Sequence, residues 1–200
     1  MILEFDLIFV IYRNCLKIMV IENLLAQKKT VIVKDWFNLI AESYPADTSQ
    51  FLKTKKDAFA NPVGKTILNG LEAVFNELLS GMDDKAITSF LDPIIRIRAV
   101  QTIFSPSQAT AFIFDLKKVV RKNFKKEIKE NSIPKELLIF ESKIDRLCLI
   151  AFDIYSECRE KIYQLKVDTE RNKIYSAFAR AGLITDLTDG IPEKEPEFKA

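Results

Sequence analysis

The sequence predicts an all-α fold, and three observations carry that expectation. Glycine occurs only 5 times in 200 residues, too seldom for the turns that join strands. Apolar residues recur at spacings of three and four over most of the chain, the period of helices buried on one side. A capping residue followed by proline stands at Asn61-Pro62, Asp92-Pro93 and Ser105-Pro106, a helix start in which the missing proline N–H costs nothing.

Taken in order, the first helix is expected over residues 21–43, where Val33, Trp36, Phe37 and Ile40 share a face and Tyr44-Pro45 ends it. Asp47 and Thr48 offer N-cap oxygens to a short second helix carrying Phe51, Leu52 and Phe59. Asn61-Pro62 starts a third that runs to Ser80, with Gly81 as its stop. Asp83 or Asp84 begins a helix through Leu91, and Asp92-Pro93 launches another from Ile94 to Ile103, so a bent pair is expected. Ser105-Pro106-Ser107-Gln108 has the form of a capping box. The helix it opens puts Phe112, Ile113, Leu116, Val120 and Phe124 on one face and a ridge from Lys118 to Lys129 on the other, read as solvated. A last helix from Pro134 to about Ala181 meets no internal proline or glycine.

That last helix contains the candidate dimer interface. Ile144, Leu147, Ala151, Ile154, Cys158 and Leu165 follow a seven-residue a/d pattern, interrupted by Lys161. Cys148, Phe152 and Tyr155 lie beside this seam, more apolar surface than one-sided packing uses, so the expectation is a homodimer.

Met1 to Ile18 is apolar, yet Glu4 and Asp6 stand where a signal peptide carries positive charge, and Arg13 and Lys17 interrupt the run. Membrane insertion is not expected. Residues 1–18 read as a non-native or flexible extension, with the native start at Met19, residues 19–181 as one helical domain, and residues 182–200 as an acidic flexible tail.

Composition narrows the function. With 48% hydrophobic and 29% charged residues the chain reads as a soluble globular domain. The formal charge of +2 argues against a nucleic-acid partner. Cys15, Cys148 and Cys158 lack metal-ligand spacing and suit a reduced, cytoplasmic protein. Histidine is absent, which removes the commonest acid–base catalyst and the commonest metal and haem ligand. No glycine-rich phosphate loop, paired-cysteine motif or nucleophile elbow is present. The expectation is therefore a non-enzymatic protein with no cofactor, its fifteen Phe residues serving as core.

Four residues are candidate ligand or partner contacts. Arg96 and Arg98 alternate with Ile95 and Ile97, two guanidiniums that could hold an anion or a partner's carboxylate, or else cover apolar surface with their stems. Ser105 and Gln108 mark a helix start whose N–H groups favour negative charge. Asp145 and Asp153 stand in the apolar last helix and read as paired acids, with Arg146, Arg98 or a backbone donor as partner.

Read together, Trp36, the Tyr44-Pro45 stop, Phe59-Ala60-Asn61-Pro62-Val63-Gly64, Ile95-Arg96-Ile97-Arg98-Ala99-Val100-Gln101, Phe104-Ser105-Pro106-Ser107-Gln108-Ala109 and Ile144-Asp145-Arg146-Leu147 resemble the RsbRD-type N-terminal domain family, from about Leu24 to Arg171. The resemblance implies a globin-like helical sensor domain without haem and with a long C-terminal helix. In that family such a domain precedes a STAS output domain in co-antagonists of the RsbT switch kinase. No STAS domain follows here before Ala200, so the expectation is a free-standing regulatory sensor or adaptor whose partner is a separate STAS or switch-kinase protein. The alternatives are a globin-type cofactor protein, with Cys, Met or Tyr as ligand, and a small anion or metabolite binder.

Overall fold

A computed structural model describes residues 2–54, 59–130 and 134–183, with side chains described from residue 21 onward, Pro134 excepted. Every regular element among them is helical: α1 Ile2–Glu42, α2 Ala46–Thr54, α3 Pro62–Ser80, α4 Asp84–Ala99, α5 Pro106–Thr110, α6 Phe112–Asn123, α7 Lys125–Lys129 and α8 Pro134–Arg180. The chain divides into two units, residues 1–159 and 160–200.

In the first unit α1 packs against α2, α3 and α6, and α3 packs against α4. Ile21, Leu25, Ile32, Trp36 and Ile40 recur along α1 at helical spacing and are nearly solvent-free, each such burial contributing about 1.5–3 kcal/mol. Leu137, Phe140, Ile144, Leu147, Ala151, Ile154 and Cys158 bring the first half of α8 into the same core. Phe75 of α3 and Phe140 of α8 meet edge to face, with centroids 6.3 Å apart. Ion pairs lace the rim: Arg121 holds the buried Glu141 through two bonds of 2.6 and 2.7 Å, Lys117 reaches Asp145 at 2.6 Å, and Arg146 pairs with Asp84.

Several expectations need correction. No glycine or proline precedes Pro45, so nothing stops the first helix from extending backwards, and α1 begins at Ile2 rather than near residue 21. The side chains of residues 1–18 lie outside the described residues, as does the expected tail from residue 184 on. Phe59 does not join the second helix and is 97% exposed. Asp92-Pro93 starts no new helix: α4 runs through Pro93, because a proline removes one intrahelical bond while Leu91, Ile94 and Ile95, all fully buried, hold both sides in place. The helix expected from Pro106 onward is three pieces, broken at Ala111 and Phe124. Its basic ridge is exposed as expected, with Lys122 also paired to Asp35 of α1 and Arg121 to Glu141 of α8. Gly81 follows α3 as expected, but at φ −174° it is extended, and the left-handed residue is Met82, at φ 60°.

Close approaches account for two glycines. A Cβ on Gly70 would stand 2.9 Å from the Phe90 carbonyl oxygen, so this position sets how near α3 and α4 lie. A Cβ on Gly64 would fall 2.3 Å from Asn61 Nδ2. The bare backbone there lets Asn61 fold over the start of α3.

Candidate functional site

Arg96 and Arg98 have opposite fates. Two positions apart on a helix is about 200° of rotation, so one must face away from whatever the other faces. Arg96 points to solvent and pairs with Asp92 one turn back. Arg98 is 1% exposed.

The Arg98 guanidinium ties three segments together. Its Nε donates to the Ala109 carbonyl at 3.0 Å, one terminal nitrogen to the Gln108 carbonyl at 2.9 Å, and the other to the Ser43 hydroxyl at 3.1 Å. It thereby fastens the end of α1 and the helix start at α5 to the last turn of α4. Three rings surround it: Phe104 lies 4.0 Å, Tyr44 5.2 Å and Phe112 5.5 Å from the guanidinium carbon, and aromatic faces attract a desolvated cation. No carboxylate among the described residues comes within ion-pair distance of Arg98.

The electrostatics follow from that isolation. Burial pulls the Arg98 pKa down, opposed by Tyr44 and more weakly by Asp115. Burial pushes the Tyr44 hydroxyl up, opposed by the Arg98 charge. The Tyr44 hydroxyl oxygen is buried and has no geometric hydrogen-bond partner among the described residues. Beside this cluster a cleft of about 230 Å³ is lined by Ser43, Arg98, Phe104, Gln108 and Asp115 among others.

Ser105 and Gln108 form the expected capping box: Gln108 N–H donates to Ser105 Oγ at 3.3 Å and Ser105 N–H to Gln108 Oε1 at 2.9 Å. Their side chains are therefore spent on each other, and it is the Gln108 backbone carbonyl that meets Arg98. Of the four candidate contacts, Arg98 and Gln108 are brought together, Ser105 completes the local turn, and Arg96 is elsewhere.

The candidate dimer seam is divided. Ile144, Leu147, Ala151, Ile154 and Cys158 are at 6% exposure or less, inside the chain's own core, whereas Leu165 is 66% exposed. A heptad pattern identifies which side of a helix is apolar and is silent on which chain covers it. Tyr155, set beside the seam, is also buried, but Phe152 is 58% exposed, so it is not part of the core. Asp145 pairs with Lys117 rather than with either arginine proposed for it, and Asp153 is exposed.

Exposed apolar positions missed in the sequence occur in both units, and one set in the second unit shares a helix face. Tyr163, Val167, Ile174 and Phe178 are each about half exposed and fall at i, i+4, i+11 and i+15, one face of a straight helix. The signal was present, but polar neighbours dilute it.

A family model described as the RsbT co-antagonist protein rsbRD N-terminal domain matches residues 30–167. The chain belongs to this family. The match covers well over half of the chain and contains Asn61-Pro62-Val63-Gly64, Arg98 and the Ser105–Gln108 box. In this RsbRD-type domain those pieces are the α3 cap with its obligatory glycine, the buried tie and the α5 start. Neither the curated proteins nor the solved structures yielded a match. The family is one of regulatory signalling domains. Among the described residues, no helix is long and apolar enough to cross a membrane, and no group of three or more Cys, Asp or Glu is placed to hold a metal ion.

Proposed function

We propose that this RsbRD-type domain is a non-enzymatic, cytoplasmic regulatory sensor or adaptor in stress signalling that acts by protein contact. Two copies pair through α8 beyond residue 160, and the pair engages a STAS or switch-kinase protein. The observation that carries this reading is the stripe Tyr163, Val167, Ile174 and Phe178, four large apolar side chains about half exposed on one helix face. Left in water, such a row is an aggregation liability, and a stripe meeting its own copy about a twofold axis is self-complementary.

Light scattering on the purified chain, alone and as Ile174→Glu, tests the pairing. The expected result is a dimer at about tens of micromolar for the wild type and a monomer of unchanged helicity for the variant, whose charge would be desolvated against its symmetry mate. A monomeric wild type overturns it. Ile154→Glu does not serve, since Ile154 is buried in the core and the charge would unfold the domain.

A second reading is a small-anion binder at Arg98, favoured by a buried cation with no carboxylate at ion-pair distance among the described residues, beside a cleft of about 230 Å³.

A further inference from the structure

A different cleft, remote in sequence from Arg98, opens between α1, α2 and α3 and has a volume of about 520 Å³. Its construction follows from helix periodicity. Lys29, Val33 and Phe37 form one row on α1, and Thr30, Lys34 and Asn38 the row beside it, each at four-residue spacing. The facing wall is Lys65, Leu68 and Glu72 of α3, again at three- and four-residue spacing. Leu52 and Lys53 of α2 close the third side. Asn61 holds that third side to α3, donating through Nδ2 to the Leu52 carbonyl at 3.0 Å while its oxygen caps Gly64 N–H at 2.8 Å.

The lining separates by chemistry. Val33 and Leu52 are buried, and Phe37 and Leu68 pack against the core, so the floor is apolar. Four lysines from three helices stand around it, against one acid, Glu72. Lys29 is held by Glu72 at 2.8 Å and Lys53 by Glu42 at 2.8 Å. Lys34 and Lys65 have no ion-pair partner among the described residues. They come from different helices and border the same apolar floor.

We infer that this cleft binds a small organic anion, a carboxylate or phosphate head with an apolar body. Its size is within the range of small-molecule sites, which combine mostly apolar walls with a few convergent polar groups. The head sits between Lys34 and Lys65, whose ammonium groups act as compact point charges for carboxylate or phosphate. The body lies on Val33, Phe37 and Leu68, and Thr30 and Asn38 supply lateral hydrogen bonds. This supplies an input for the regulatory reading and rests on it for its meaning, but binding is measured without reference to pairing, so either can fail alone.

The test is an amide chemical-shift titration of the full chain with octanoate, octyl phosphate and the neutral octanol. Saturable shifts centred on residues 29–38 and 61–72 are expected with the two anions and not with octanol, the tighter anion identifying the head group. In Lys34→Ala/Lys65→Ala, both exposed positions whose loss leaves the fold intact by circular dichroism, the octanoate Kd rises at least about tenfold. Lys118→Ala/Lys122→Ala leaves it unchanged. Shifts centred elsewhere, equal response to octanol, or an unaltered Kd in the first double variant overturns the inference.

Discussion

The Trp36 indole N–H donates to the Phe112 carbonyl at 2.7 Å, a buried hydrogen bond between residues 76 positions apart. It fixes α1 against the first residue of α6, with the two rings 6.4 Å apart. A polar atom inside an apolar core is tolerated when it finds its partner, and here that partner also sets the register of two helices.

Trp36→Phe keeps an aromatic ring but removes the donor and part of the volume. The expected cost is about 2 kcal/mol, the sum of a lost buried hydrogen bond and a small cavity. Urea unfolding followed by circular dichroism measures it, and a change below about 0.5 kcal/mol would mean that the bond contributes nothing net.

Arg98→Met leaves the Gln108 and Ala109 carbonyls without their buried donor, and the expected loss is about 3 kcal/mol. Arg98→Lys recovers little, because an ammonium cannot span three acceptors as the planar fork does. Arg96→Ala, which removes an exposed pair, costs under about 1 kcal/mol. Denaturant midpoints of the three variants rank them, and equal effects at the two arginines would contradict the burial difference.

Gly70→Ala separates helix propensity from packing. Propensity alone favours alanine by about 1 kcal/mol, but the new methyl meets the Phe90 carbonyl oxygen at 2.9 Å and Ile94 Cδ1 at 2.8 Å. The net expectation is destabilisation of about 1–2 kcal/mol, read as a drop in Tm, and a rise would show that α4 moves aside freely.

Cys148 is protected from chemistry by its surroundings. Burial foremost, with the nearby Asp145 adding to it, pushes the thiol up to about 12. The fold favours the neutral thiol, so this contribution to stability is complete below pH 9 and is lost as pH rises from there through about 12. At about pH 8 alkylation of Cys148 by iodoacetamide, followed by peptide mass spectrometry, should be at least about tenfold slower in the folded chain than in urea. Equal rates would place the thiol in water.

What the sequence made legible was local. Asn61 with Pro62, and Ser105 with Gln108, form helix starts from atoms within three or four residues of one another, and both are built as read. Misreadings arose where the deciding contact is distant. Local periodicity puts Arg98 on the Leu91, Ile94 and Ile95 face and Arg96 off it, but the groups that hold a buried guanidinium there, Ser43 and the α5 carbonyls, are distant in the sequence. The heptad seam of α8 was correctly apolar, but whether its cover was the chain itself or a second copy depended on where α1, α3 and α6 lie. Pro93 carried a start signal that tertiary packing overrode.

The stripe on the second half of α8 has a handedness built into its spacing. Tyr163 to Ile174 and Val167 to Phe178 are both intervals of 11 residues, or 3.67 per turn, slightly more than the 3.6 of a straight helix. Side chains on that repeat drift around the helix in the sense opposite to a heptad seam. Two copies that follow the stripe along its whole length must therefore wind about each other with a slight right-handed supercoil, unlike a leucine zipper. In a parallel pair, cysteines introduced in place of Tyr163 and Ile174 would then sit in equivalent surroundings and cross-link with equal ease, whereas partners of seven-residue spacing would not.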